Sequence, residues 1–188
     1  MTISINQITS GTALLINDDI FLVTEYNHVK PGKGSAFVRV KLKNIRTQSV
    51  LERTFKTADK LDDVLLEERK LQNLYRSGDS IHFIDLASYE EKVVPVDVIG
   101  DDIKFLQDNL EVVGIFHNDQ VLKVNLPIFI EAEIIHTEPG FKGDSSRAGT
   151  KPATIDTGTQ MQVPLFIEIG DKIKIDTRTS LYVERVKK

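Results

Sequence analysis

His28-Val29-Lys30-Pro31-Gly32-Lys33-Gly34-Ser35 lies between two strand-like runs. Asp19-Ile20-Phe21-Leu22-Val23-Thr24-Glu25-Tyr26 precedes it, and Ala36-Phe37-Val38-Arg39-Val40-Lys41-Leu42-Lys43 follows it. Two apolar-rich runs joined by a short Gly- and Pro-containing segment read as a β-hairpin. Pro31 fixes its own φ and biases Lys30 towards extended backbone. Gly32 and Gly34 allow the positive φ of a tight turn. Lys33 is therefore expected at an exposed tip with no bulky neighbour, as the working end of the molecule.

The second run sets the faces. Ala36, Val38, Val40 and Leu42 share one side of a strand, and Phe37, Arg39, Lys41 and Lys43 share the other. The first set belongs in a core and the second forms a basic stripe. Charge is also uneven along the chain. From Tyr26 to Lys60 there are nine basic and two acidic residues, net +7, against −11 for the remainder and −4 overall. One end is thus expected to meet a polyanion while the rest stays acidic.

The chain has 188 residues, 40% of them hydrophobic, and no cysteine. Disulfides, thiolate zinc sites and cysteine nucleophiles are excluded. No apolar run is long enough to span a bilayer. The first residues lack the basic and apolar regions of a signal peptide, so a cytoplasmic protein is expected.

The patterning predicts an all-β chain of three small barrels in series. Residues 1–63 read as an SH3-like unit of four or five short strands carrying the hairpin. Residues 64–127 and 128–188 read as two five-stranded units, for which the OB-fold is the candidate. A faint repeat supports two related units. Gly78-Asp79, Ile81 and Phe83 echo Gly170-Asp171, Ile173 and Ile175, and Tyr89, Glu91, Lys92 and Val93 echo Tyr182, Glu184, Arg185 and Val186. Two segments read as helix. Leu, Glu, Lys and Gln favour it over 63–75. Ile103, Leu106 and Leu110 predict a short amphipathic helix over 102–110, capped by Asp101 or Asp102.

Enzyme signatures fail. Gly32-Lys33 is followed by Gly34, position 27 is Asn, and a strand rather than a helix comes next, so the pair is not a P-loop. The four histidines (28, 82, 117 and 136) form no metal-binding spacing. Acidic pairs fall at turns or helix starts, where capping is their ordinary role. No catalytic residue, metal or cofactor is expected. What remains is polyanion binding, through the hairpin stripe and through Lys142-Gly143-Asp144-Ser145-Ser146-Arg147. That loop offers cations for phosphate and small polar groups for base edges. A general single-strand RNA-binding OB protein stays open as an alternative, although aromatics are only 7% and tryptophan is absent.

Four blocks in order resemble the bacterial translation elongation factor P family. They are Lys30-Pro31-Gly32-Lys33-Gly34-Ser35-Ala36-Phe37-Val38-Arg39 with Lys41-Leu42-Lys43-Asn44; Glu52-Arg53-Thr54-Phe55; Pro139-Gly140-Phe141-Lys142-Gly143-Asp144 followed by Lys151-Pro152-Ala153-Thr154; and Val163-Pro164-Leu165-Phe166 with Lys174-Ile175-Asp176-Thr177-Arg178 and Tyr182-Val183-Glu184-Arg185-Val186. The archaeal and eukaryotic relative, initiation factor five A, lacks a third domain, so the later blocks point to the bacterial type. An elongation-factor-P-like paralogue, which often carries Arg at the tip, is the neighbouring alternative.

The resemblance implies an SH3-like (KOW-like) domain followed by two OB-fold domains in a bent, tRNA-like shape. It also implies that 63–75 is extended, against its helical composition. It implies a non-enzymatic monomer that binds the 70S ribosome between the P and E sites. There it promotes peptide-bond formation at consecutive prolines by positioning P-site prolyl-tRNA. Lys33 matches the tip that reaches the peptidyl-transferase centre. In several bacteria that lysine is extended by a β-lysyl or aminopentanol group, a lysyl-type modification or hydroxylation made by a separate lysine-modifying enzyme. Pro31, Gly32 and Gly34 set the loop geometry. Lys30, Arg39, Lys41 and Lys43 face tRNA or rRNA phosphates. Gly143, Asp144 and Ser145 approach E-site mRNA, and Tyr182 and Arg185 meet the small subunit.

Overall fold

The alternation along 36–43 becomes a strand whose inward residues are sealed. Val38 and Leu42 are fully buried and Val40 is 1% exposed, while Arg39 and Lys41 face solvent. A computed structural model describes residues 2–30, 36–56, 58–139 and 149–186. The chain divides into two compact units, Met1–Glu68 with Ile115–Lys123, and Arg69–Gly114 with Val124–Lys188.

The first sheet contains β1 (Thr2–Ile3), β2 (Ala13–Ile16), β3 (Asp19–Val29), β4 (Phe37–Asn44), β5 (Val50–Lys56) and β6 (Leu61–Asp63). Their order is β1-β6-β2-β3-β4-β5, and every pair is antiparallel. β2 and β3 are joined by Asn17 and Asp18, both at positive φ (52° and 67°). Positive φ at both central residues matches the right-handed twist of the flanking strands, and Asn and Asp tolerate it. Between β4 and β5 the buried Asn44 carboxamide oxygen accepts from the Arg46 and Thr47 amides at 2.9 and 3.0 Å. Ile5, Leu14, Phe21, Val23, Val38, Val40, Leu42 and Phe55 form the core beneath this sheet.

The second sheet contains β7 (Glu67–Ser77), β8 (Ser80–Asp85), β9 (Glu91–Pro95), β10 (Glu111–His117) and β11 (Gln120–Asn125), in the order β11-β10-β7-β8-β9. β7 overturns the helical reading of 63–75. It is the central strand, paired with β8 directly after it and with the distant β10 on the other side, so its backbone groups are satisfied across the sheet. Local propensity is worth only tenths of a kcal/mol per residue and yields to such pairing. A two-residue period is visible in its burial: Leu71 is fully buried and Asn73 is 4% exposed. The expected helix over 102–110 also moves. A helical turn, α1 (Val96–Ile99), runs into a 3₁₀ segment over Gly100–Phe105. Leu106 is already extended, at φ −78° and ψ 98°. Neither Asp101 nor Asp102 caps it, because α1 starts after Pro95. Phe105, 1% exposed, is the main anchoring side chain, and Leu110 packs half-buried against the same core from outside the helical segment.

The third sheet contains β12 (Phe129–Thr137), β13 (Thr150–Ile155), β14 (Gln160–Pro164), β15 (Lys172–Asp176) and β16 (Leu181–Arg185), in the order β14-β13-β12-β15-β16. Numbered within each unit, both later sheets read 3-2-1-4-5, the OB order with strand 1 central. The repeat is therefore real in topology, but the sequence echo is out of phase. It aligned β8, a second strand, with β15, a fourth strand, and β9 with β16. These strands lie on opposite flanks of the central strand. What they share is a turn glycine at positive φ (Gly78 at 59°, Gly170 at 84°) followed by inward alternation. That is a property of any half-buried strand after a tight turn.

Candidate nucleic-acid interface

The hairpin of β3 and β4 continues beyond its core residues. Its last registered pairs are Tyr26 with Val40, Asn27 with Arg39, His28 with Val38, and Val29 with Phe37. Directly opposed residues share a face, and β5 extends each row. On the outer face the rows are Glu25–Lys41–Glu52, Asn27–Arg39–Thr54 and Val29–Phe37–Lys56. On the inner face they are Tyr26–Val40–Arg53 and His28–Val38–Phe55. The Tyr26 and His28 rings meet edge-on at 5.6 Å. The Arg53 guanidinium lies 6.0 Å from the Phe55 ring centroid.

The outer face is less basic than the sequence stripe suggests. Lys41 Nζ is 2.7 Å from Glu25 Oε2, and Arg39 Nε is 3.1 Å from Glu52 Oε1. The hydrogen bond to Glu25, then the charges of Glu25 and Glu52, hold the Lys41 ammonium above the ordinary lysine value of 10.5. Glu25 lies one residue outside the stretch whose charge is +7, and strand pairing folds it back onto that stretch. Lys43, half-buried opposite Leu22 and Val50, makes no ion pair among the described residues. Lys30 is exposed just past the end of β3. Pro31, Gly32, Lys33 and Gly34 lie outside the described residues.

The expected RNA loop joins β12 to β13, and its residues Gly143, Asp144 and Ser145 also lie outside the described residues. Its flanks are pinned. Lys151 is 6% exposed, and its Nζ donates to the Glu138 carbonyl at 2.7 Å. Thr137 Oγ1 donates to the Pro152 carbonyl at 2.9 Å. Lysine is ordinarily exposed, so an interior ammonium that donates to a carbonyl could not be foreseen from residue type.

Tyr182 and Arg185 lie on β16, an edge strand. A register irregularity sets Tyr182 opposite Ile175 and Arg185 opposite Ile173, so both project on the core-facing side. Tyr182 packs against the third sheet's core, and burial raises its phenol pKa, opposed by Arg185. The Arg185 guanidinium sits 5.7 Å from the exposed Phe166 ring, with Nη1 3.6 Å from Asp171.

Among the described residues no three His, Asp or Glu side chains converge to hold a metal ion. His82, Tyr75 and Glu91 do meet on the second sheet. The Tyr75 and His82 rings stack at 4.4 Å, and His82 Nδ1 hydrogen-bonds Glu91. No helix among the described residues is long and apolar enough to cross a membrane.

Most of the chain matches known families, in three parts. Residues 4–61 match the family described as the elongation factor P KOW-like domain, 66–124 the elongation factor P OB domain, and 130–185 the elongation factor P C-terminal domain. The chain is 45% identical over 176 residues to elongation factor P of Thermoanaerobacter sp., covering 94% of this chain and 95% of that one. It is 47% identical over 183 residues to elongation factor P of Microcystis aeruginosa, covering 97% and 99%. Among solved structures it is similar to initiation factor 5A from Methanococcus jannaschii, with a TM-score of 0.52 and 25% identity over 66% of this chain and 93% of that one. An eif-5a family protein from Naegleria fowleri shares the fold, with a TM-score of 0.54 and 16% identity over 67% of this chain and 98% of that one.

Proposed function

The chain belongs to the elongation factor P family of translation factors, and we propose that it acts in the cytoplasm on ribosomes whose P-site tRNA carries proline. It binds between the P and E sites and speeds peptide-bond formation at consecutive prolines. It is a translation factor and not an enzyme: the ribosome makes the bond, and this protein positions the tRNA.

The observation that carries this reading is the β3–β4 hairpin. Its ladder runs to the Val29–Phe37 pair, and Lys33 belongs by sequence to the stretch between those two residues. A cation delivered on a two-stranded stalk can hold the CCA end of a tRNA through its phosphates. Proline is a poor nucleophile and a constrained donor, so fixing the reacting groups in register removes an entropic part of the barrier. A covalent extension of Lys33 by a modifying enzyme lengthens the same arm. The loop with Gly143, Asp144 and Ser145 faces mRNA in the E site, and Tyr182 and Arg185 belong to the small-subunit side.

Lys33→Ala tests the reading. The variant is expected to keep the wild-type thermal midpoint and to lose relief of stalling on a Pro-Pro-Pro reporter in reconstituted translation. Wild-type synthesis from that reporter by Lys33→Ala would remove the hairpin-tip mechanism.

A further inference from the structure

Two cations of the first unit are treated differently from the outer-face pair. Arg53 and Lys60 are exposed and line one shallow, open groove together with Asn17, Thr54, Phe55 and Asp59. Neither has a carboxylate partner among the described residues. The one carboxylate in the groove is already engaged, since Asp59 Oδ2 accepts the Lys56 amide at 2.7 Å. Arg53 is held by its face, 6.0 Å from the Phe55 centroid. A guanidinium held over a ring keeps its in-plane N–H edge free for a bidentate oxyanion. Asn17 lines the same groove and adds a neutral carboxamide donor.

We propose that this groove binds the phosphodiester backbone of RNA and is the main phosphate-binding element of the first unit, in place of Arg39 and Lys41. The physical basis is counterion release. A free cation sheds no protein-bound anion when it meets a phosphate, and the phosphate releases its condensed counterion. A lysine already 2.7 Å from a glutamate must first give up that partner. An open groove suits an extended polyanion better than a small enclosed anion, for which burial on several sides is the rule. The assignment rests on the translation-factor reading for its biological ligand, but the groove itself is testable without ribosomes.

The experiment compares Arg53→Gln/Lys60→Gln with Arg39→Gln/Lys41→Gln. Each is titrated against 70S ribosomes by co-sedimentation, and against a labelled single-stranded RNA oligonucleotide and an acidic peptide of equal charge by anisotropy. With RNA, the groove variant is expected to bind at least about tenfold more weakly at low salt. Its log–log salt slope should be shallower by about 1.4, two phosphates at ~0.7 each. The outer-face variant should keep nearly the wild-type slope. Arg53→Lys/Lys60→Arg, which retains both charges, should keep the slope too and serves as the folding control. Wild-type RNA affinity and slope in the groove variant overturn the proposal. An acidic peptide bound as tightly as RNA, and lost in the same variant, overturns RNA as the ligand. If wild type ignores ribosomes but binds RNA through Arg53 and Lys60, the ribosomal reading falls and the groove stands. If wild type binds neither, both fall.

Discussion

Glu25 lies directly opposite Lys41 only because Thr24 is an extra residue in β3. Val23 pairs with Leu42 and Glu25 with Lys41, so Thr24 bulges out of the ladder and its hydroxyl donates to the Lys41 carbonyl at 3.2 Å. An unbulged strand would set Thr24 against Lys41 and turn Glu25 to the face of Val40. The bulge thus decides which face of the hairpin carries the acid, and with it the charge of the outer surface.

Glu25→Gln follows from this relationship. Both side chains are about half exposed or more, at 47% for Lys41 and 67% for Glu25, so screening keeps the pair's contribution to stability small. The thermal midpoint should hardly move at neutral pH. The sign of any pH effect is fixed. Lys41's raised pKa means the pair stabilises fully below the ordinary 10.5 and less as pH rises through the higher folded value. The larger effect is on RNA. With Lys41 released, the salt slope of oligonucleotide binding should steepen by up to about 0.7. An unchanged slope would place Lys41 outside the RNA footprint.

Strand β7 makes a prediction that separates it from the helix its composition favours. Leu71 is fully buried on a strand paired on both sides. Leu71→Ala should cost about 2–5 kcal/mol in urea unfolding. At exposed Glu68 on the same strand, Glu68→Thr should be neutral or stabilising, because β-branched residues fit a pleated surface and lose stability in a helix. A clear loss of stability at position 68 would contradict the extended assignment.

The readable and unreadable parts of this chain divide along range of interaction. The inward row of Val38, Val40 and Leu42 was legible because alternation is local. The Asn17-Asp18 turn is local in the same sense, because both residues tolerate the positive φ (52° and 67°) that they adopt. The extended state of 67–77 was not legible from its composition, because it depends on pairing with β8 on one side and with β10, which arrives much later in the chain, on the other. The pairing of Glu25 with Lys41 was hidden for a related reason: register depends on a bulge, and a bulge leaves no mark in periodicity. The family blocks supplied candidate site residues, but not which cations are already neutralised. That required the ladder.

Glu91 gives the acid-side prediction. The hydrogen bond with His82 is the largest influence on its carboxyl, which is held below the ordinary 4.5, and the Tyr75 hydroxyl adds to it at 3.3 Å. A depressed carboxyl contributes stability above its unfolded pKa and loses it as pH falls through the lower folded value. The advantage of wild type over Glu91→Gln should therefore be greatest above about pH 4.5 and fade in stronger acid. In an NMR titration the Glu91 carboxyl midpoint should lie below 4.5. It should rise in His82→Phe, which keeps a ring against Tyr75 but removes the nitrogen. A midpoint indifferent to that substitution would assign the shift elsewhere.

Lys151 anchors the loop that the family reading directs to mRNA. Its buried Nζ donates to Glu138 O at 2.7 Å, tying the residue after the loop to the one before it. Lys151→Met keeps the aliphatic bulk and removes the donor, leaving the Glu138 carbonyl without that partner. The expected cost is about 1–3 kcal/mol, the range for orphaning one buried polar partner. The loss should be local. Amide exchange should accelerate at the β12–β13 end near Thr137 and Ala153, while the first sheet keeps its protection. Lys151→Arg should recover little, because at a site 6% exposed the larger planar guanidinium does not reproduce a compact ammonium's single bond to the carbonyl. If Lys151→Met leaves exchange at Thr137 and Ala153 unchanged, the hydrogen bond is not what holds the loop's ends together. The backbone pairing of Thr137 with Ala153 and the Thr137 hydroxyl bond to the Pro152 carbonyl would then do so.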